Sequence, residues 1–150
     1  MDRAYGHNLT SLRYKDGASL DSRKVPYLAI PSSNVVNGSI RYGDYAVVFD
    51  ASTGNRAFAV VGDAAPNRNA IGISVALANA LAIPYDGRDL KGDHLLVSVI
   101  FVDSADDKWP EALTERATAL YESWGGDAAI EEYLQLKIRK ERGPAEEAKR

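Results

Sequence analysis

The chain has no cysteine, only two histidines and a single methionine in 150 residues. Without thiols there is no disulfide scaffold, no thiolate metal site and no cysteine nucleophile. His7 and His94 have no paired spacing, so no metal and no cofactor is expected, and Ser74 has neither a G-x-S-x-G elbow nor a ready base. The glycines form neither a G-x-G-x-x-G nor a P-loop phosphate cradle. A run of about 18 apolar residues is also missing, so no membrane span is expected. The opening stretch "MDRAYGHNLTSLRYKDG" lacks the basic and then apolar pattern of a secretory leader, which as written points to the cytoplasm unless another route releases the protein. Nor is there a strong excess of one charge: 18 Lys and Arg stand against 21 Asp and Glu, a net charge of −3. That balance gives no field to hold a polyanion and argues against nucleic acid, while a cationic ligand stays open.

What is there is one ordinary domain's worth of core, with 45% of residues hydrophobic and 26% charged. Residues 1–24 are polar and carry no sustained period, so they read as an irregular N-terminal segment. "VPYLAIP" (Val25 to Pro31) sits between prolines and fits a strand near an edge. "SSNVVNGS" supplies turn chemistry, and "YGDYAVVFD" (Tyr42 to Asp50) and "AFAVVGD" (Ala57 to Asp63), joined by "ASTGNR", predict a hairpin. "ISVALANALAI" (Ile73 to Ile83) predicts a short buried helix starting near Ser74. "LLVSVIFV" (Leu95 to Val102) has the composition of a fully buried strand. "EALTERATALYESWGG" places Leu113, Ala117, Leu120, Tyr121 and Trp124 on one core-facing stripe and ends in a glycine stop. A second helix through Ile138 follows, and residues 139–150 form a charged, solvated tail. One domain over residues 25–138 is expected. The acids flanking "KIRKER" cancel most of its positive field.

Chemistry in such a chain falls to carboxylates. Asp63 closes an apolar strand, where an acid either caps the next turn, as Asp50 does after "AVVF", or stands at the edge of a cleft as a proton-transfer group.

Taken in order, "LDSRKVPYLAIP", "YGDYAVVFD", "AFAVVGDAAP", "SVALANALAI" and "WPEALTERATALYESWGG" resemble the fungal and bacterial chitosanases of glycoside hydrolase family 75. Those enzymes carry D-x-x-x-(V/I)-P-(Y/F), G-D-Y, F-G-D-x-G-P, G-E-G-S-x-A-L-A and W-G-G in the same order. Here the matching positions are Asp21 to Tyr27, Gly43 to Tyr45, Gly62 to Pro66, the region before Ala76 to Ala78, and Trp124 to Gly126. The resemblance spans roughly residues 20–126.

The resemblance implies a mainly β fold, a six-stranded closed double-psi β-barrel with helices packed against it. It also implies secretion, and inverting hydrolysis of β-1,4-linked glucosamine polymer by two carboxylates. Only one of the two is present. Asp63 matches the family's aspartate, but the position of its glutamate falls on Gly72 or, with a one-residue slide, on Ile73; no Asp or Glu lies between Asp63 and Asp86. Three activities follow from that gap. Another acid, such as Asp44, Asp86, Asp89 or Asp93, takes the second role; or Asp63 alone acts as acid and then base, as in lytic transglycosylases; or the chain binds glycan without cleaving it. Beside Asp63, Asp44 is a candidate for binding a glucosamine ammonium or, equally, a turn residue. Tyr42, Tyr45 and Trp109 are candidates for stacking on sugar rings or for core packing. Asn67, Arg68 and Asn69 are placed to hydrogen-bond a ligand or to form a polar loop, and Ser74 belongs to the matching helix start.

Overall fold

The computed structural model describes residues 10–36, 38–65, 71–85, 92 and 94–135. The expected charged tail, residues 139–150, lies outside them. Strand β1 covers Tyr27–Pro31 and runs into the short helix α1, Ser32–Val36, where turn chemistry alone was expected. The hairpin forms as its sequence predicts, from β2, Tyr45–Asp50, and β3, Asn55–Ala65. Its turn is closed by Asp50, whose Oδ1 accepts the Ser52 N–H at 2.9 Å while its carbonyl accepts the Gly54 N–H at 2.7 Å.

Gly72–Ile73 form a two-residue strand, β4, and helix α2 is confined to Val75–Ala80. The expected helix over Ile73 to Ile83 is therefore trimmed at both ends: Ile73 is taken up by pairing with Leu28, and Ala82 adopts φ 60°, which a right-handed helix does not tolerate. After β5, Leu96–Ile100, helix α3 spans Leu113–Trp124 and stops at Gly125, whose φ of 131° only glycine adopts easily. Of the helix expected through Ile138, the described residues show the brief α4, Gly126–Ala129, followed by a π turn over Ile130–Leu134, and residues 136–138 lie outside them.

The five strands form one mixed sheet in the order β4-β1-β3-β2-β5. β1 is parallel to β3, and the other pairings are antiparallel. This corrects the expected architecture. Among the described residues the sheet is open, with β4 and β5 at its two edges, rather than a closed six-stranded barrel. Edge position also explains why β5 is half-buried along its whole length although its composition suggests full burial.

Side-chain alternation divides the core between the two faces of the sheet. On one face Leu28, Ile30, Ala46, Val48, Ala59 and Val61 pack against Leu77 and Leu81, at and just after α2. On the other, Tyr27, Tyr45 and Val60 pack against Trp109, Leu113 and Ala117, with Val47 and Phe49 meeting Tyr121 and Ile130. The stripe of α3 faces the sheet as expected through Leu113, Ala117 and Tyr121, whereas Trp124, expected in the core, is 38% exposed with its ring stacked on Tyr121. The N-terminal segment is irregular yet docked. Leu12 N–H donates to the Gly62 carbonyl at 2.9 Å, and Leu20 is buried. No helix among the described residues is long and apolar enough to cross a membrane.

Candidate functional site

The site grows from an irregularity in β3. Leu28 pairs with Val61, but the next residue, Ala29, pairs with Asp63, so Gly62 is an extra residue in the strand. A bulge of this kind re-aims the side chains that follow it. Val61 points into the core with Leu28, and strict alternation would send Asp63 the same way. The inserted residue turns Asp63 to the face of Ala29 instead. Only glycine fits the bulge, because a Cβ at Gly62 would stand 2.8 Å from the Cβ of Tyr27.

Asp63 is then positioned by a segment far away in sequence. Its Oδ1 accepts the Ser11 N–H at 3.1 Å, the Ser11 hydroxyl at 3.2 Å and the Ala64 N–H at 2.9 Å. Its other oxygen, Oδ2, has no hydrogen-bond partner among the described residues. One oxygen is fixed and the other is open, which is what a carboxylate needs to exchange a proton with a bound molecule.

Gly72 lies in the same row of the sheet. It pairs with Ala29 on the side opposite Asp63, so the order across three strands is Asp63, Ala29, Gly72. Paired residues share a face, and two strand spacings place the Cα of Gly72 about 10 Å from that of Asp63. Ile73 pairs with Leu28 and packs on the opposite face, against the core. Of the two positions that align with the family's glutamate, Gly72 alone shares the face of Asp63.

The other expected site residues are placed differently. Asp44 is fully buried, and its oxygens accept the backbone N–H groups of Arg41 at 2.9 Å, Ser104 at 3.1 Å and Ala105 at 3.0 Å. It ties the turn before β2 to the loop after β5 and offers no surface to an ammonium. Tyr45 is also fully buried, and its hydroxyl donates to Asp106 Oδ1 at 2.5 Å. Burial first, and then the neighbouring Asp106 carboxylate, push the Tyr45 phenol well above its ordinary pKa. Ser74 caps α2: its buried hydroxyl donates to the Val25 carbonyl at 2.8 Å and accepts the N–H groups of Tyr27 at 2.9 Å and Leu77 at 3.2 Å. Ser74→Ala is expected to cost about 2 to 4 kcal/mol, since it removes a cap and leaves buried backbone groups unpaired; the denaturant midpoint measures it. Asn67, Arg68 and Asn69, like Asp86, Asp89 and Asp93, lie outside the described residues.

No family model and no curated protein matches the chain.

Three features went unread in the sequence. Ser11 meets Asp63 across 52 residues of chain, a contact that no local pattern signals. His94 places Nδ1 2.6 Å from Oδ2 of the fully buried Asp50, locking the start of β5 to the end of β2. A cleft of about 540 Å³ opens between residues 13–16 and 106–111, with the rings of Tyr14 and Trp109 stacked 6.2 Å apart in its lining. Asp106 anchors this cleft. Burial alone would raise its pKa, but hydrogen bonds from Tyr45, the Lys108 amide and Arg116 outweigh that and hold the carboxyl below the ordinary aspartate value.

Proposed function

We propose that the chain cleaves β-1,4-linked amino-sugar glycan of the chitosan class, with Asp63 as its proton-transfer group. The observation that carries this reading is the Asp63 carboxylate itself, turned to the face of Ala29 by the bulge at Gly62, held through Oδ1 by Ser11 and with Oδ2 unpartnered among the described residues. The ordered chitosanase-like motifs around it support the choice of substrate. Glycosidic cleavage needs a carboxylic acid to protonate the leaving oxygen and a carboxylate to take a proton from the attacking water, and a carboxyl group fixed at the end of a strand is placed for such a transfer.

Chitosan oligomers incubated with the protein are expected to yield shorter chains with new reducing ends. Asp63→Asn is expected to lower that rate by about 10²- to 10⁴-fold. Full activity in that variant would remove Asp63 from the chemistry.

A second reading, glycan binding without turnover, is favoured by Gly72, which bears no carboxylate at the place facing Asp63, and by the burial of Asp44. Saturable binding with no new reducing ends from the unsubstituted chain identifies it.

A further inference from the structure

The cleft beside the N-terminal segment has a composition of its own. Among the described residues, four carboxylates, Asp16, Asp106, Asp107 and Glu111, line it together with two cations, Arg13 and Lys15. Their commitments differ. Asp106 is matched by Arg116, 2.9 Å away, and Asp16 accepts the Ala18 N–H at 3.0 Å. Arg13 is turned back on its own loop, donating to the carbonyls of Thr10 at 2.9 Å and Gly17 at 3.2 Å. Asp107 and Glu111 are exposed and have no hydrogen-bond or ion-pair partner among the described residues. Two uncommitted acids therefore stand beside an aromatic pair, which draws cations through the faces of its rings.

That combination selects ligand chemistry. Lys15 is exposed and offsets one of the four acids, so the balance stays negative: an anion is repelled, and a neutral sugar gains the aromatic surface but leaves the acids unused. A sugar ring bearing a protonated amine satisfies both, with its apolar face on the half-buried Tyr14, which the buried Trp109 backs, and its ammonium toward Asp107 and Glu111.

Position links the cleft to Asp63. Tyr14 and Trp109 belong to the cluster on the Tyr27 face of the sheet, the face to which the bulge turns Asp63. Ser11 touches Asp63, and Arg13, two residues on, already lines the cleft, a separation of at most about 7 Å along the chain. A polymer lying over Asp63 has only to follow the N-terminal segment to reach it.

We propose that the cleft between residues 13–16 and 106–111 is a subsite for a protonated amino-sugar unit of the glycan, held by the Tyr14–Trp109 pair and the carboxylates of Asp107 and Glu111. The identity of the ligand rests on the amino-sugar reading of Asp63; the site stands on its own residues. The test uses the full chain carrying Asp63→Asn, so that bound oligomer is not consumed, with and without the pair Asp107→Asn and Glu111→Gln. Both positions of the pair are exposed, so neither change removes core packing.

Titration with glucosamine tetramer, at a pH where its amines are charged, is expected to show a Kd raised about three- to tenfold by the pair. The Trp109 indole N–H resonance is expected to move with glucosamine tetramer, and N-acetylglucosamine tetramer is expected to bind more weakly and to be indifferent to the pair. Equal affinity for glucosamine tetramer with and without the pair, or no binding of it at all, overturns the subsite. The two readings fail separately. Asp63-dependent cleavage together with an affinity that the pair leaves unchanged removes the subsite alone, whereas a Trp109 shift that the pair weakens, in a chain that never cleaves the oligomer, removes the catalytic role of Asp63 and keeps the subsite.

Discussion

Gly72→Glu is expected to raise the rate of chitosan hydrolysis by about 10²- to 10⁴-fold, the contribution of one positioned acid or base group. The sheet register supplies the geometry. Asp63 and Gly72 flank Ala29 in one row and share a face, with Cα atoms about 10 Å apart, and carboxylate pairs in inverting glycosidases are separated by roughly 6.5 to 9.5 Å. The backbone also accepts the change. Among the described residues a Cβ built on Gly72 meets the Ala29 Cβ alone, at 3.4 Å, an ordinary van der Waals contact, and the rest of a glutamate side chain projects from a half-exposed position. Ile73→Glu is the control, because that side chain packs on the opposite face with Leu28, which is 0% exposed, so the expected result is lost stability with no gain in rate. Reducing-end assays on the two variants measure the difference, and the anomeric form of the product sharpens it: α-configured ends fit an inverting pair. A folded Gly72→Glu protein that is no faster than its parent would show that Asp63 and Gly72 do not flank a scissile bond.

How much of this was legible in the sequence depends on how far apart the partners are. The β2–β3 hairpin was, because both strands and their Gly-Asn turn lie within one short stretch, and so was the end of α3 at Trp124-Gly125-Gly126. Asp63 stood out as a strand-end acid, but the bulge that aims it arises from the pairing of β3 with β1, and periodicity within β3 does not reveal it. Ile73 read as helical because its neighbours have helical spacing, and strand pairing with Leu28 overrode that propensity. Barrel closure rested on resemblance alone, and the register leaves β4 and β5 at opposite edges of the sheet. The cleft is the extreme case. Its walls come from segments far apart in the chain, so its aromatic pair and its free acids meet only after folding.

Asp44→Ala is expected to destabilise the protein by about 3 to 5 kcal/mol, and by that amount to lower its Tm by roughly 6 to 20 °C for a chain of this length. The carboxylate is 0% exposed and serves three backbone N–H groups, those of Arg41, Ser104 and Ala105, all of which lose their acceptor once the side chain is gone. Asp44→Asn separates charge from hydrogen bonding. Its amide oxygen can still accept from Ser104 and Ala105, but its NH2 group then faces the Arg41 N–H, donor against donor, so an intermediate loss is expected. The same pair of variants decides whether Asp44 touches substrate. If its work is structural, affinity for glucosamine oligomers stays at the parent value in Asp44→Asn below its melting transition, and only the melting temperature moves. Unchanged melting with weakened affinity would instead place the carboxylate against the ligand, and would require the loop around Ser104 and Ala105 to open when glycan binds.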